Sequence, residues 1–307
     1  MFAFQNGSWK FVQLSSPVGK SLPSKLRVAT YNVLFDHFNK EYQPFNQKRF
    51  EFQLDSILPK LNADIIGLNE VSPDFLKLLL EREWVRSSYF LSQVDEQAFA
   101  ESSNGCVFGN VVLTRYFPSG FSTFKFDTHW RDALMLEFEK VEGAERGVCF
   151  LMGHLKAGGT EEEVEKRRGQ FVQVGKHFEN NKDTAIFMGD LNTQKEDEMV
   201  PDGFFDLYTH LHGGNSSMQP EEIVTPNLRF TFDGQLNMLV NDPTFRVRLD
   251  RIYCKLPPSV ASHALSTTLN LFGTETIDDG QDTDKHTLIH NKPASDHYGI
   301  SFDLSLP

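Results

Sequence analysis

The chain has 307 residues, 39% of them hydrophobic and 23% charged, with 28 Phe and a formal net charge of −12. This is a globular composition that excludes collagenous, coiled-coil and wholly disordered classes, and the length fits a single large α/β or sandwich enzyme domain. So acidic a chain is poorly suited to broad, nonspecific grip on a phosphate backbone, although carboxylates gathered around a divalent cation would make part of the acidity functional.

At the N-terminus Phe2, Phe4, Trp9 and Phe11 alternate around Asn6-Gly7. This is the pattern of an edge hairpin, or of an extension that orders on a partner, and residues 1–24 are set apart as such from a catalytic domain over 25–307. No basic start precedes a continuous apolar core and no window reaches bilayer-spanning length, so the expectation is a soluble intracellular monomer, nuclear or cytosolic, with no membrane association. Cys106, Cys149 and Cys254 form no CxxC pair, which points to a reducing compartment. Cys149 and Cys254 lie inside apolar runs and are expected to be buried structural thiols.

Strand-like runs follow one another: RVATYNVL, ADIIGL, GNVVLTR, ALMLEF, GVCFLMGH, AIFMG, RLDRIYC and YGISFDL. Between them QKRFEFQLDSILPKL, SPDFLKLLLEREW and EEEVEKRRGQFVQVGKHFEN carry apolar residues at helical three-and-four spacing. Ser72-Pro73-Asp74 predicts a capped helix start with Pro at its first position, and Thr160 followed by Glu161 to Glu163 predicts a capping box. Strands that run on without helices, from GNVVLTR through GVCFLMGH, imply hairpins and a mixed, largely antiparallel sheet. Residues 262–293, with Asp278, Asp279, Asp282 and Asp284, read as a solvated loop whose acids lack EF-hand spacing.

The strand ends share a chemistry. ATYN ends in Asn32, IIGLNE in Glu70 and LMGH in His154; GDLN supplies Asp190 and Asn192, RLDR supplies Asp250, and SDH supplies Asp296 and His297. Taken singly each has an ordinary structural reading as a turn, a cap or a satisfied core imidazole. Together they form a set of hard oxygen and imidazole ligands, which suits magnesium, or manganese as its substitute, better than zinc. Glu70 is the first choice as metal ligand. An aspartate and an imidazole on opposite sides of a phosphate would activate water and stabilise the leaving oxygen.

In their order TYN, GLNEV, GHL, GDLN, LDRIY and SDHYGI, spanning residues 27–304, the chain resembles the endonuclease/exonuclease/phosphatase superfamily, also called DNase I-like. The resemblance implies a four-layer α/β/β/α sandwich of two mixed, mainly antiparallel sheets with flanking helices and an active site at one edge. It also implies that Glu70 binds the divalent ion with Asp296 near it, and that Asn32 and Asn192 hold phosphate. Asp190 would deprotonate the water, His297 oriented by Asp250 would bond a phosphate oxygen, and His154 would meet the scissile phosphate.

Within the superfamily TYNVLFD, HWRDALMLEF with GHLKAGG, AIFMGDLNT, and RFTFDGQLN with RVRLDRIYC look like the tyrosyl-DNA phosphodiesterase type 2 branch. The implied substrate is a single-stranded DNA end bearing a 5′-linked tyrosine, hydrolysed to a 5′-phosphate in DNA-end repair. Phe230 and Phe232 would then stack bases, and Arg229, Arg246 and Arg248 meet phosphates, unless FTF is core. Lys156 would either bind phosphate beside His154 or reach solvent. An RNA 3′-exonuclease or deadenylase, or a 2′,5′-phosphodiesterase, of the same fold is the alternative, and a catalytically silent binding module is the third reading.

Overall fold

The computed structural model describes residues 1–13, 21–35, 43–99, 107–127, 131–139, 141–143, 146–181, 183–195, 198–213, 223–257, 268–277 and 292–306. Cys106 and the cluster of Asp278, Asp279, Asp282 and Asp284 lie outside these. In chain order the strands are β1 (Phe2–Gln5), β2 (Ser8–Phe11), β3 (Lys25–Asn32), β4 (Ile65–Val71), β5 (Phe90–Leu91), β6 (Gly109–Thr114), β7 (Gly120–Lys125) and β8 (Asp132–Phe138). Then follow β9 (Val148–His154), β10 (Thr184–Asp190), β11 (Phe205–Asp206), β12 (Phe232–Asp233), β13 (Arg246–Val247), β14 (Asp250–Lys255), β15 (Leu269–Phe272) and β16 (Gly299–Ser305). The helices are α1 (Asn46–Phe52), α2 (Leu58–Leu61), α3 (Pro73–Glu81), α4 (Glu83–Ser88), α5 (Glu161–Phe178) and α6 (Leu207–His212).

One sheet runs β15-β16-β3-β4-β6-β5-β1-β2 and the other β11-β14-β10-β9-β8-β7, with β12-β13 a separate ribbon. Only β3 with β4 and β9 with β10 pair in parallel among the named strands; the other pairings are antiparallel. The N-terminal hairpin turns at Asn6 and Gly7, both at positive φ, as a tight hairpin turn requires, and its first strand joins the larger sheet through β5.

The central strands are apolar almost throughout because both their faces are covered. Along β9, Phe150 and Met152 enter the core between the sheets, where they meet Val28 and Ile186. Cys149 and Leu151 point the other way and pack with Phe171, Val174 and Phe178 of α5. On the far side of the larger sheet, Ala29, Tyr31, Ile66 and Leu68 pack against Phe50, Leu54, Phe75 and Leu76 of the α1 to α3 segment. Three apolar layers separated by two sheets give the α/β/β/α sandwich expected.

Both predicted caps are present. Ser72 Oγ accepts from the Phe75 amide, and Thr160 and Glu163 exchange the two bonds of a capping box. The stretch read as one helix over QKRFEFQLDSILPKL is α1 and α2 joined by a π-turn, Gln53–Ile57. Its buried polar residues hold two loops of the site edge. Arg49 donates to Ala294 O and Leu34 O, and the Gln53 amide to Val33 O and Ala294 O.

Candidate active site

The site lies where β3, β4, β9 and β10 end and β14 begins. Asp190 is opposite His154 in the parallel pairing of β10 with β9, and opposite Asp250 in the antiparallel pairing with β14. Sheet register alone therefore sets a carboxylate between an imidazole and a second carboxylate. The strands approach closely here: a Cβ on Gly189, at φ +138, would meet Gly153 O at 2.0 Å, so only glycine fits before Asp190. Glu70 sits at φ +60 beside a register shift in β4, and Asn192 at φ +53 just beyond β10. Left-handed backbone at two candidate ligands is strain held by the surrounding structure, a pattern found at functional sites.

Asp190 is 1% exposed and carries most of the contacts. Asn32 Nδ2 donates to its Oδ2 at 3.0 Å, and the Asn192 amide to its Oδ1 at 3.1 Å. His154 Nε2 lies 3.3 Å from the same Oδ2 and 3.7 Å from Glu70 Oε1. His297 Nε2 stands 3.8 Å from Asp190 and 4.0 Å from Asp296, while His297 Nδ1 donates to Asp250 Oδ2 at 2.8 Å. Ser295 Oγ ties the last loop to the first strand by donating to Asn32 O, and it accepts from the His297 amide.

The electrostatics follow from burial and these neighbours. Burial alone would lower His297, but the charges of Asp250 and Asp190 outweigh it and raise the ring well above its ordinary value, so it is an imidazolium. Burial alone would raise Asp190, but the charge of His297 and the bonds from His154 and Asn32 hold it below the usual carboxylate range. His154 is pushed down to about 4 by burial and by Arg131, and is neutral. Burial raises Glu70, and burial together with the charges of Glu70 and Asp190 pushes Asp296 up to about 6.

Four carboxyl groups, Glu70, Asp190, Asp250 and Asp296, thus gather around His297 and Arg131, and burial raises three of the four, Glu70, Asp250 and Asp296. Asp296 Oδ1 is buried with no hydrogen-bond partner among the described residues. Ligand atoms of Glu70, His154 and Asp190 lie within 4.8 Å of one another. An oxygen-rich cluster with an orphaned carboxylate oxygen fits a hard divalent cation, which Glu70 would hold with Asp190 and Asp296 close by.

The endonuclease/exonuclease/phosphatase family model matches residues 29–297. The chain belongs to the endonuclease/exonuclease/phosphatase family. As a member it is a hydrolase with phosphodiesterase or nuclease activity, and the cluster just described has acidic and imidazole groups that could bind a divalent metal. Its fold is similar to that of Danio rerio TDP2 humanized by 14 mutations, at 20% identity over 92% of this chain and 99% of that one, with a TM-score of 0.64. Caenorhabditis elegans TDP2 gives the same TM-score at 22% identity over 94% and 78% of the two chains. The human Nocturnin catalytic domain gives 0.54 at 17% identity over 92% and 94%. No curated protein matches by sequence.

Of the residues predicted from strand ends, all eight come together in this family member. Of the substrate-contacting residues predicted from RFTFDGQLN and RVRLDRIYC, Phe232 joins them, while Phe230, Arg246 and Arg248 are engaged elsewhere. Phe232 stands at the site, its ring centroid 5.0 Å from that of His297. Phe230 is buried, with the Arg246 and Arg229 guanidinium groups 4.5 and 5.6 Å from its ring centroid, so the ring is packed and offers no face to a base. Arg246 is bound to buried Asp233. Arg248 is 2% exposed and paired with Asp206, which also binds Arg251, so it braces the fold and meets no phosphate there. Lys156 turns its ammonium to Glu163 and Ala157 O.

Three residues not singled out from sequence join the site. Arg131 carries positive charge felt by Glu70 and Asp190, and lies 5.3 Å above the ring of Phe108. Phe108 in turn stacks on Phe35. Asn69, beside Glu70, bonds the Asp190 amide. An arginine directly before the ALMLEF strand was the available signal for Arg131, since strand ends carried the rest of the chemistry.

Proposed function

We propose that this family member hydrolyses a 5′-phosphotyrosyl bond at a single-stranded DNA end, using a divalent metal, most simply Mg2+, and leaving a 5′-phosphate. The observation that carries the reading is a cavity of about 330 Å³ that opens beside His154 and is lined by Phe108, Arg131, Phe99, Phe121 and polar groups. Its aromatic walls and buried guanidinium suit a phenolic leaving group, since an aromatic ring gains from stacking on Phe108 and from the charge of Arg131. A structure of Danio rerio TDP2 complexed with a single-strand DNA product has the same fold, with a TM-score of 0.64 and 20% identity over 92% of this chain and 99% of that one.

In this mechanism the phosphoryl group sits among the donors. His297 gives its Nε2–H to a non-bridging oxygen while Asp250 holds the other ring nitrogen, which keeps the imidazolium aimed and charged. Asn32 and Asn192 place the Asp190 carboxylate, which takes a proton from the attacking water in line with the leaving oxygen. Arg131 offsets the charge that develops on that oxygen. A bound divalent cation supplies Lewis-acid polarisation of the phosphoryl oxygens. No covalent intermediate with the protein is needed.

The test is cleavage of single-stranded DNA bearing a 5′-phosphotyrosyl group, with Mg2+ or EDTA, beside poly(A) and an abasic duplex. Mg2+-dependent release of tyrosine and a 5′-phosphate, faster than either control, is expected. Phe108→Ala should raise KM for the phosphotyrosyl end and leave the KM of a small phosphodiester unchanged. Faster cleavage of poly(A) would move the substrate to RNA ends; folded protein silent on all three would overturn the reading.

A further inference from the structure

Asp190 is anchored by more than its own sheet. Its backbone amide leaves the β-ladder and donates to Asn69 Oδ1 of the opposite sheet at 2.9 Å. The Asn69 side-chain nitrogen donates to Gly153 O at 3.1 Å and to Asn110 Oδ1 at 2.8 Å. Asn110 Nδ2 in turn donates at 3.1 Å to both the backbone oxygen and the Oδ1 of Asp132. Asn110 and Asp132 line the cavity beside His154. Asn69 is 2% exposed, at the edge of the layer between the two sheets that Val28, Val112, Met152 and Met188 fill.

We propose that Asn69, Asn110 and Asp132 are positioning residues: a hydrogen-bonded relay that fixes the Asp190 backbone relative to Glu70 and links it to the wall of the leaving-group cavity. Three features support this. Asn69 precedes Glu70 in the chain, so the bond to the Asp190 amide sets the distance between the metal-binding and the water-activating carboxylates across the gap between sheets. Apolar packing between sheets is non-directional and tolerates small sliding, whereas a buried amide with every partner in place admits one arrangement. The far end of the relay is a carboxylate at a cavity wall, where an occupant can bond to it and stiffen the chain of bonds leading to Asp190.

The inference rests on Asp190 as the water-activating residue, and its test separates the two. Bis(p-nitrophenyl) phosphate with Mg2+ reports catalysis on a phenolic leaving group without any nucleic acid, and hydrogen exchange at the Asp190 amide reports the relay without catalysis. Asn110→Ala should lower kcat roughly threefold and Asn69→Ala about tenfold with KM unchanged, since displacements well below 1 Å matter for near-attack geometry. The double variant should be no slower than Asn69→Ala, because both act through one bond. Exchange at the Asp190 amide should quicken in both single variants. Asp132→Asn, which keeps an acceptor oxygen, should fall between Asp132→Ala and the unaltered protein.

If Asn69→Ala does not fold, the Asn110 and Asp132 variants decide the matter. Unaltered exchange at Asp190 in folded Asn110→Ala, or rate losses that multiply in the double variant, would overturn the relay. An unaltered protein that fails to hydrolyse the diester counts against the phosphodiesterase reading, and the exchange result still decides the relay.

Discussion

His297 donates Nδ1–H to Asp250 Oδ2 across 2.8 Å, although 47 residues separate them in the chain. The bond and the charge of Asp250 raise the imidazole well above its ordinary value of 6.5. The sign follows from linkage. A group whose folded pKa is raised contributes stability that is complete below its unfolded pKa and disappears as pH rises through the folded one. Activity that needs the imidazolium should therefore hold through neutral pH and fall only well above it. Asp250→Asn should bring the alkaline limb of the kcat profile down toward pH 6.5, with a loss of up to about 30-fold at pH 8. An alkaline limb unmoved by Asp250→Asn would contradict the dyad.

Asp190→Asn keeps the shape of the side chain and one of the two acceptor oxygens that Asn32 and the Asn192 backbone amide use, while removing the base. It should lower kcat by about 10³-fold, within the usual span for a general base. Circular dichroism should show a melting transition as cooperative as that of the unaltered protein. Turnover close to the original rate in folded protein would sink the assignment.

Divalent metal should stabilise the protein in a pH-dependent way. Asp296, at about 6, and Glu70 are both raised, so ionising them as pH increases adds repulsion that the fold must absorb. For these raised carboxyls the stability present below their unfolded pKa is lost as pH rises through the folded pKa, up to about 6 for Asp296. A cation relieves that repulsion and competes with protons for the same oxygens. Mg2+ should raise the melting temperature more at pH 7.5 than at pH 5, and Glu70→Gln should remove most of the difference. Differential scanning fluorimetry with and without EDTA checks both.

Arg167 and Glu198 form a pair with side chains 0% and 3% exposed, the guanidinium also donating to Lys156 O and Gly158 O. Glu198 accepts from the Gln194 amide just past the GDLNT turn. Removing one partner leaves a buried charge alone, so Glu198→Ala should cost about 3–5 kcal/mol in urea unfolding. A double replacement, Arg167→Met with Glu198→Leu, should recover much of that loss. A loss below 1 kcal/mol, that is about the value of a surface pair, would show the site to be solvated.

Strand ends and helix caps could be read directly because each depends on neighbours in the chain. GDLNT ends an apolar run, and SPD and TEEE start helices, for backbone reasons that act within a few residues. The π-turn after Phe52 gave no such sign, since it is settled by where Arg49 and Gln53 find carbonyl partners on Val33, Leu34 and Ala294. Phe230 and Arg248 were misplaced for the same reason. A phenylalanine beside arginines suits a base-stacking surface as well as a buried cation–π packing, and only the positions of Arg246 and Asp206 distinguish them.

By itself the sequence determined the α/β class and the polar residues at its strand ends, because periodicity is a one-dimensional property, and the order of its motifs carried the family resemblance that implied the four-layer sandwich. Tertiary structure alone decided that Asn69 of one sheet bonds Asp190 of the other, and that Arg131 and Phe108 wall a cavity at His154. These contacts form across the gap between two sheets, where no residue's chemistry is fixed until the sheets' relative position brings a partner from a distant part of the chain.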